Sequence, residues 1–105
     1  MQSLPNQEIT LNIRYDAPDE IWAKIPFIYS QMPGWLGFAE DNMPYWYSMD
    51  NSGDKKMISA SVEPGGLQVY GYMSTDEWSL WLSSFTEKAT SELGFEVGDV
   101  QDGYE

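Results

Sequence analysis

The segment STDEWSLWLSSFTEKATSELG, Ser74 to Gly94, constrains the fold more than any other stretch of the chain. Trp78, Trp81, Leu82, Phe85, Ala89 and Leu93 recur at spacings of three and four, so they share one face of a helix. Ser74 and Glu77 have the spacing of a capping box, and Gly94 is placed to stop the helix in the left-handed conformation. A helix this apolar on one side needs a layer to cover.

The rest of the chain reads as the source of that layer. Glu8 to Asp16 alternates, with Ile9, Leu11, Ile13 and Tyr15 on one side and Thr10, Asn12 and Arg14 on the other. In the next run Pro18 suits a first helical position, Asp19 and Glu20 suit the positive end of the dipole, and Ile21, Trp22, Ile25, Ile28, Tyr29 and Met32 form a second helical stripe. Pro26 falls inside that stripe, so the helix kinks there or divides in two. Three strands in meander order follow: Tyr45 to Met49, Lys56 to Val62 and Leu67 to Met73, joined by DNSGDK and EPGG turns. Phe95 to Val100 reads as a short last strand. The expected architecture is α+β: a single, mostly antiparallel sheet in the order β-α-β-β-β-α-β, with two helices packed on one face. The expected domain is single, spanning 1–105, with loose ends at 1–7 and 101–105.

If both helices cover one sheet face, the stretch PYWYSMD, Pro44 to Asp50, raises a question. Its three successive rings fall on both sides of a strand, so either Trp46 or the pair Tyr45 and Tyr47 faces out, beside Tyr70 and Tyr72. A register slip of one residue exchanges the two sets. The glycine- and proline-rich PGWLGF, Pro33 to Phe38, predicts irregular backbone. Its Trp35, Leu36 and Phe38 either tuck under the sheet or join a binding surface.

Composition narrows the chemistry. The chain has no cysteine and no histidine, which removes disulfides, thiolate nucleophiles and the commonest general base and metal ligand. Paired carboxylates remain at Glu40/Asp41, Asp50/Asp54, Asp76/Glu77 and Asp99/Asp102. The DNSGD run lacks the length and closing Glu of a calcium loop, and no glycine-rich stretch carries the Lys of a phosphate loop. No catalytic residue, metal or cofactor is expected, and the chain is not expected to be an enzyme. Seventeen acids against five bases give a net charge of −12, which repels nucleic acid and anionic lipid and attracts a basic protein. The start, MQSLPNQE, lacks the positive region and apolar run of a signal peptide, and no stretch has the apolar length of a membrane span, so a cytoplasmic location is expected.

Taken together, PDEIWAKI, MPGWLGF, PYWYS, SVEPGGL, DEWSLWLSSF and LGFEVGDVQDGY cover most of the chain. With these segments it resembles the small acidic immunity proteins of bacterial toxin systems, including those of contact-dependent growth inhibition. The resemblance implies a protein that binds a cognate toxin domain, a basic one and often a nuclease, and blocks or distorts its active site. The contact set expected for such a partner is Trp35, Glu40, Asp41, Trp46, Asp50, Asp54 and Glu63, with Asp99 and Asp102 as a second acidic cluster. The chain is expected as a monomer or weak dimer that meets neither nucleic acid nor membrane. Two alternatives stand beside this reading. One is an acidic mimic of nucleic acid that inhibits a host enzyme, with its acids in a row along one face. The other is a carboxylate-dependent hydrolase, with two facing carboxyls in a cleft.

Overall fold

The computed structural model describes residues 4–104. Among them lie five strands, β1 (Asn6–Leu11), β2 (Trp35–Phe38), β3 (Pro44–Trp46), β4 (Met57–Glu63) and β5 (Gly66–Tyr72). They form one open antiparallel sheet in the order β1-β5-β4-β3-β2. The helices are α1 (Asp19–Trp22), α2 (Ile25–Ser30) and α3 (Thr75–Leu93), and a 3₁₀ turn follows at Val100–Asp102. The expected α+β class with helices on one sheet face is the observed one.

α3 starts and stops where its sequence predicts. Ser74 accepts the Glu77 N–H at 3.3 Å, and Gly94 closes the far end at φ 83°. Trp78, Trp81, Phe85, Ala89 and Leu93 are buried along its inner face. The first helix is two pieces. α1 ends at Trp22, and α2 restarts with Pro26 in its first turn, where a missing N–H leaves no bond unmade. Together α1 and α2 carry the chain across the sheet from its β1 edge to its β2 edge.

Register assigns each strand residue to a face. Ile9 pairs with Val69 and Val69 with Ala60; Leu11 pairs with Leu67 and Leu67 with Val62; Ile58 pairs with Trp46. This set faces the helices and, but for half-exposed Val62, joins or packs against the core with Ile25, Ile28, Phe85 and Val97. The opposite set is Glu8, Thr10, Gln68, Tyr70, Tyr72, Met57, Ser59, Ser61, Glu63 and Tyr45; no helix covers it, but Tyr45, Met57 and Ser59 are buried, so the open part is the region of Glu8, Thr10, Ser61, Glu63, Gln68, Tyr70 and Tyr72.

The first strand ends at Leu11 instead of Asp16 and leaves Tyr15 exposed, and three further details differ from the sequence-based expectation, each for a local reason. PGWLGF forms the edge strand β2, because Gly37 at φ 100° allows a bulge between Trp35 and Gly37. The bulge places Trp35 and Phe38 on the same, helix-facing side, although they are three residues apart. The strand expected at Phe95 to Val100 is only a bridge from Leu11 to Asp99, anchored by Asn12, whose N–H donates to the Gly98 carbonyl at 3.1 Å. β3 stops at Trp46 because Tyr47 takes φ 71°, in a tight turn closed by the Ser48 N–H on the Trp46 carbonyl at 2.9 Å. At the ends, Asn6 and Gln7 belong to β1 and the Tyr104 hydroxyl donates to Glu96 at 3.2 Å; residues 1–3 and 105 of the expected loose ends lie outside the described residues.

Two outcomes follow for stability. A Cβ at Gly71 would stand 2.1 Å from the Met57 carbonyl oxygen, in the middle of the sheet where backbone cannot yield. Gly71→Ala should cost about 3 kcal/mol in urea denaturation, while Gly94→Ala, with open space but a left-handed backbone, should cost about 1 kcal/mol. Lys56 and then Ser74 hold the Glu77 carboxyl below its ordinary range. A carboxyl held low in the folded state adds stability above its unfolded value and loses it as pH falls through the folded one. Glu77→Gln should therefore flatten the loss of stability between about pH 5 and pH 3 seen in pH-dependent denaturation of the parent.

Candidate partner-binding surface

The structure answers the ring question of PYWYSMD with a three-way division. Trp46 points into the core and is 0% exposed. Its ring lies 5.0 Å from those of Tyr29 and Trp81, and its indole N–H donates to the Tyr29 carbonyl at 3.1 Å. Tyr45 faces the uncovered side but is only 8% exposed. Tyr47 leaves the sheet altogether. Its ring lies against Gly34, where a Cβ would approach to 2.7 Å, and Lys56 Nζ sits 4.4 Å from its centroid.

Of the expected contact set, Trp46 is therefore withdrawn: a fully buried ring offers a partner no surface. Trp35 is half-buried, its ring within 5.9 Å of Tyr29, 5.3 Å of Phe38 and 5.2 Å of Trp46, so packing explains it. The acids are not gathered into one site. Glu40 and Asp41 lie in the β2–β3 turn, and Glu63 closes β4 at the same end of the sheet. Asp50 and Asp54 lie in the loop before β4, at the opposite end, about 20 Å away by the rise of a seven-residue strand. Asp99 and Asp102 flank the 3₁₀ turn beside the β1 edge.

Several of these acids build local backbone. Asp41 accepts from the Met43 N–H at 3.0 Å, Asp50 from the Ser52 N–H at 2.9 Å, and Asp99 from the Gln101 N–H at 2.8 Å. Each is an Asp bonding two residues onward, the habit that makes Asp a turn former. The Ser52 bonds also lower the Asp50 carboxyl below its ordinary range. Glu40, Asp54 and Asp102 make no such bond. Hydrogen bonds from Arg14, Ser52 and Lys56 hold the Asp16, Asp50 and Glu77 carboxyls below their ordinary range, the opposite of what a general acid needs. Acids also lie along α3 at Glu87 and Glu92, so they do not form one phosphate-like row. Among the described residues no three metal-ligating side chains come together.

The surface that remains is the uncovered sheet face. Its charged strand residues are Glu8 and Glu63, both acidic. They line one shallow trough of about 360 Å³ with Asn6, Ser61, Gln68 and Tyr70. Glu8 lies directly across from Tyr70, and Thr10 and Ser61 both pair with Gln68. Ser61 donates its hydroxyl to Glu63, which holds that carboxylate over the sheet. A floor of tyrosine, serine and glutamine offers flat contact area and polar handles. Glu8 and Tyr70 were legible as strand residues; their place in one trough needed the β1–β5–β4 order, which no local pattern reveals.

No family model, no curated protein and no solved structure matches the chain. Among the described residues no helix is long and apolar enough to cross a membrane.

The three tyrosines of the uncovered face should separate in a stability series. Tyr70→Ala and Tyr72→Ala remove half-exposed rings and should each cost at most about 1 kcal/mol. Tyr45→Ala removes a buried ring and should cost about 3 kcal/mol by the same urea titration.

Proposed function

We propose that this chain is a cytosolic immunity protein, which neutralises a basic toxin domain of the nuclease kind by docking its uncovered sheet face over or beside the toxin's active site. The observation that carries the proposal is the charge of that face: an open sheet surface whose charged strand residues, Glu8 and Glu63, are both acids, on a chain of net charge −12. An enzyme that cleaves nucleic acid presents cations to phosphate. A rigid acidic face competes for those cations and is drawn to them at long range. The resemblance of the chain's segments to immunity proteins points the same way. Inhibition of this kind needs complementarity and no turnover, so the lack of histidine and cysteine costs it nothing.

The test is capture by tagged protein from its native cells at low and high salt, followed by expression of the captured protein. A stoichiometric basic protein that halts growth alone, and no longer does so when this chain is co-expressed, is the expected result. The double variant Glu8→Lys/Glu63→Lys should weaken that complex by about tenfold or more at low salt. A variant that captures and protects as well as the parent would refute the assignment to this face. A captured protein without toxicity would refute the immunity reading.

A further inference from the structure

On the helix-covered side the core is left open at one end. Val62 faces the helices by register yet is 52% exposed, and Phe38, whose ring lies 6.2 Å from that of Tyr29, is 47% exposed. Between them runs a groove of about 220 Å³, walled by Trp22 and Tyr29 from the helices and by Phe38, Met43, Pro44 and Val62 from the sheet. The cause is the divided helix. α1 has four residues and α2 six, and this pair does not reach over the last residues of β4. Trp22 carries the one side-chain polar atom among the described residues that is buried without a hydrogen-bond partner, its indole Nε1.

We infer that this groove seats one apolar side chain of a basic protein partner, with the segment's cations facing the acids at the rim. The inference rests on the reading of the chain as a binder of a basic protein and adds a second contact to it. Three observations select this occupant. The volume lies below the range of about 300–1,000 Å³ typical of small-molecule sites and suits a single side chain. The residues flanking the lining positions supply acids: Asp41 precedes Asn42 and Met43, with Glu40 in the same turn. The nearby base, Lys24, is turned away, its Nζ donating to the Glu92 carbonyl of α3 at 3.2 Å. A second copy of this chain would bring net charge −12 against net charge −12, which argues against self-association as the occupant.

The test uses blocked pentapeptides Lys-Arg-X-Arg-Lys, with X as Phe, Leu or Ala, and the acidic control Glu-Asp-Phe-Asp-Glu. They are titrated into ¹⁵N-labelled full-length chain at low salt. The Trp22 indole N–H resonance reports the groove, and the Glu8 and Tyr70 amides report the uncovered sheet face. The Phe and Leu peptides should move the Trp22 indole saturably and bind about tenfold more tightly than the Ala peptide. The acidic peptide should leave it in place. Val62→Gln, a change at a half-exposed position, should abolish the difference between Phe and Ala while the rest of the spectrum stays folded.

Equal binding of the Phe and Ala peptides would overturn the groove and leave charge alone. Equal binding of the acidic Phe peptide would overturn the basic partner. A Trp22 shift that follows protein concentration without peptide would assign the groove to a second copy. Shifts confined to Glu8 and Tyr70 would overturn this inference and leave the sheet-face reading standing. Shifts at Trp22 alone would do the reverse.

Discussion

The hydrogen bond from the Trp46 indole to the Tyr29 carbonyl, 3.1 Å long and buried, ties the two layers of this protein together. It joins the end of β3 to the last turn of α2, where the Tyr29 carbonyl also accepts from the Met32 N–H at 3.2 Å. Around it the rings of Tyr29, Trp35, Trp46, Trp81 and Phe85 meet at centroid distances from 5.0 to 6.1 Å. Trp81 makes a parallel link, its indole donating to the Pro33 carbonyl at 3.3 Å. Trp46 and Trp81 each bring a polar N–H into the core, and each finds a carbonyl at the seam between helix and strand. Burial also pushes the Tyr29 phenol well above its ordinary range, so that ring stays neutral at any physiological pH. With no cysteine and so no disulfide to staple it, a chain of 105 residues depends on this aromatic seam for its cohesion.

The same seam explains which parts of the fold were legible in sequence. α3 was, because its period, cap and stop signals all agree over nineteen residues. β4 and β5 were, because alternation survives wherever one face is buried; β1 was only in part, since the alternation reads on to Asp16 but the strand ends at Leu11, beyond which Asn12 is buried and Tyr15 exposed. β2 was not, because four residues with a bulge at Gly37 carry no alternation, and Trp35 and Phe38 share a face only through that bulge. The length of β3 was not legible either. Its end is set by Tyr47 adopting a left-handed conformation against Gly34, thirteen residues earlier in the chain, a long-range fit with no local signature.

For the surface the division is different. Acids were visible as charges, but sequence proximity was a poor guide to shared location. Asp50 and Glu63 belong to opposite ends of β4, and Asp41, Asp50 and Asp99 are engaged in holding their own turns. A turn-forming Asp keeps its negative charge, so it still contributes to the long-range field. What it loses is freedom to reorient toward an incoming cation. Glu8 and Glu63 are carried by paired strands rather than by turns. Preorganised charge of that sort costs little to order on binding.

The end of β4 is where these strands of argument converge. Its residues alternate faces as any strand must, so Ser61 and Glu63 border the trough on the uncovered side while Ala60 and Val62 border the groove on the helix side. Two surfaces of different character, one polar and acidic and the other apolar, thus meet along a single strand terminus. The nearby β2–β3 turn adds Glu40 and Asp41 at the same end. A partner that gripped this end of the sheet would meet charge on one side and an apolar recess on the other without either surface moving. The broken first helix, which weakens coverage of the core there, is what leaves the recess open. That end of the molecule is therefore less completely packed than the Trp46 seam, and the incomplete packing is what leaves a recess for the proposed partner.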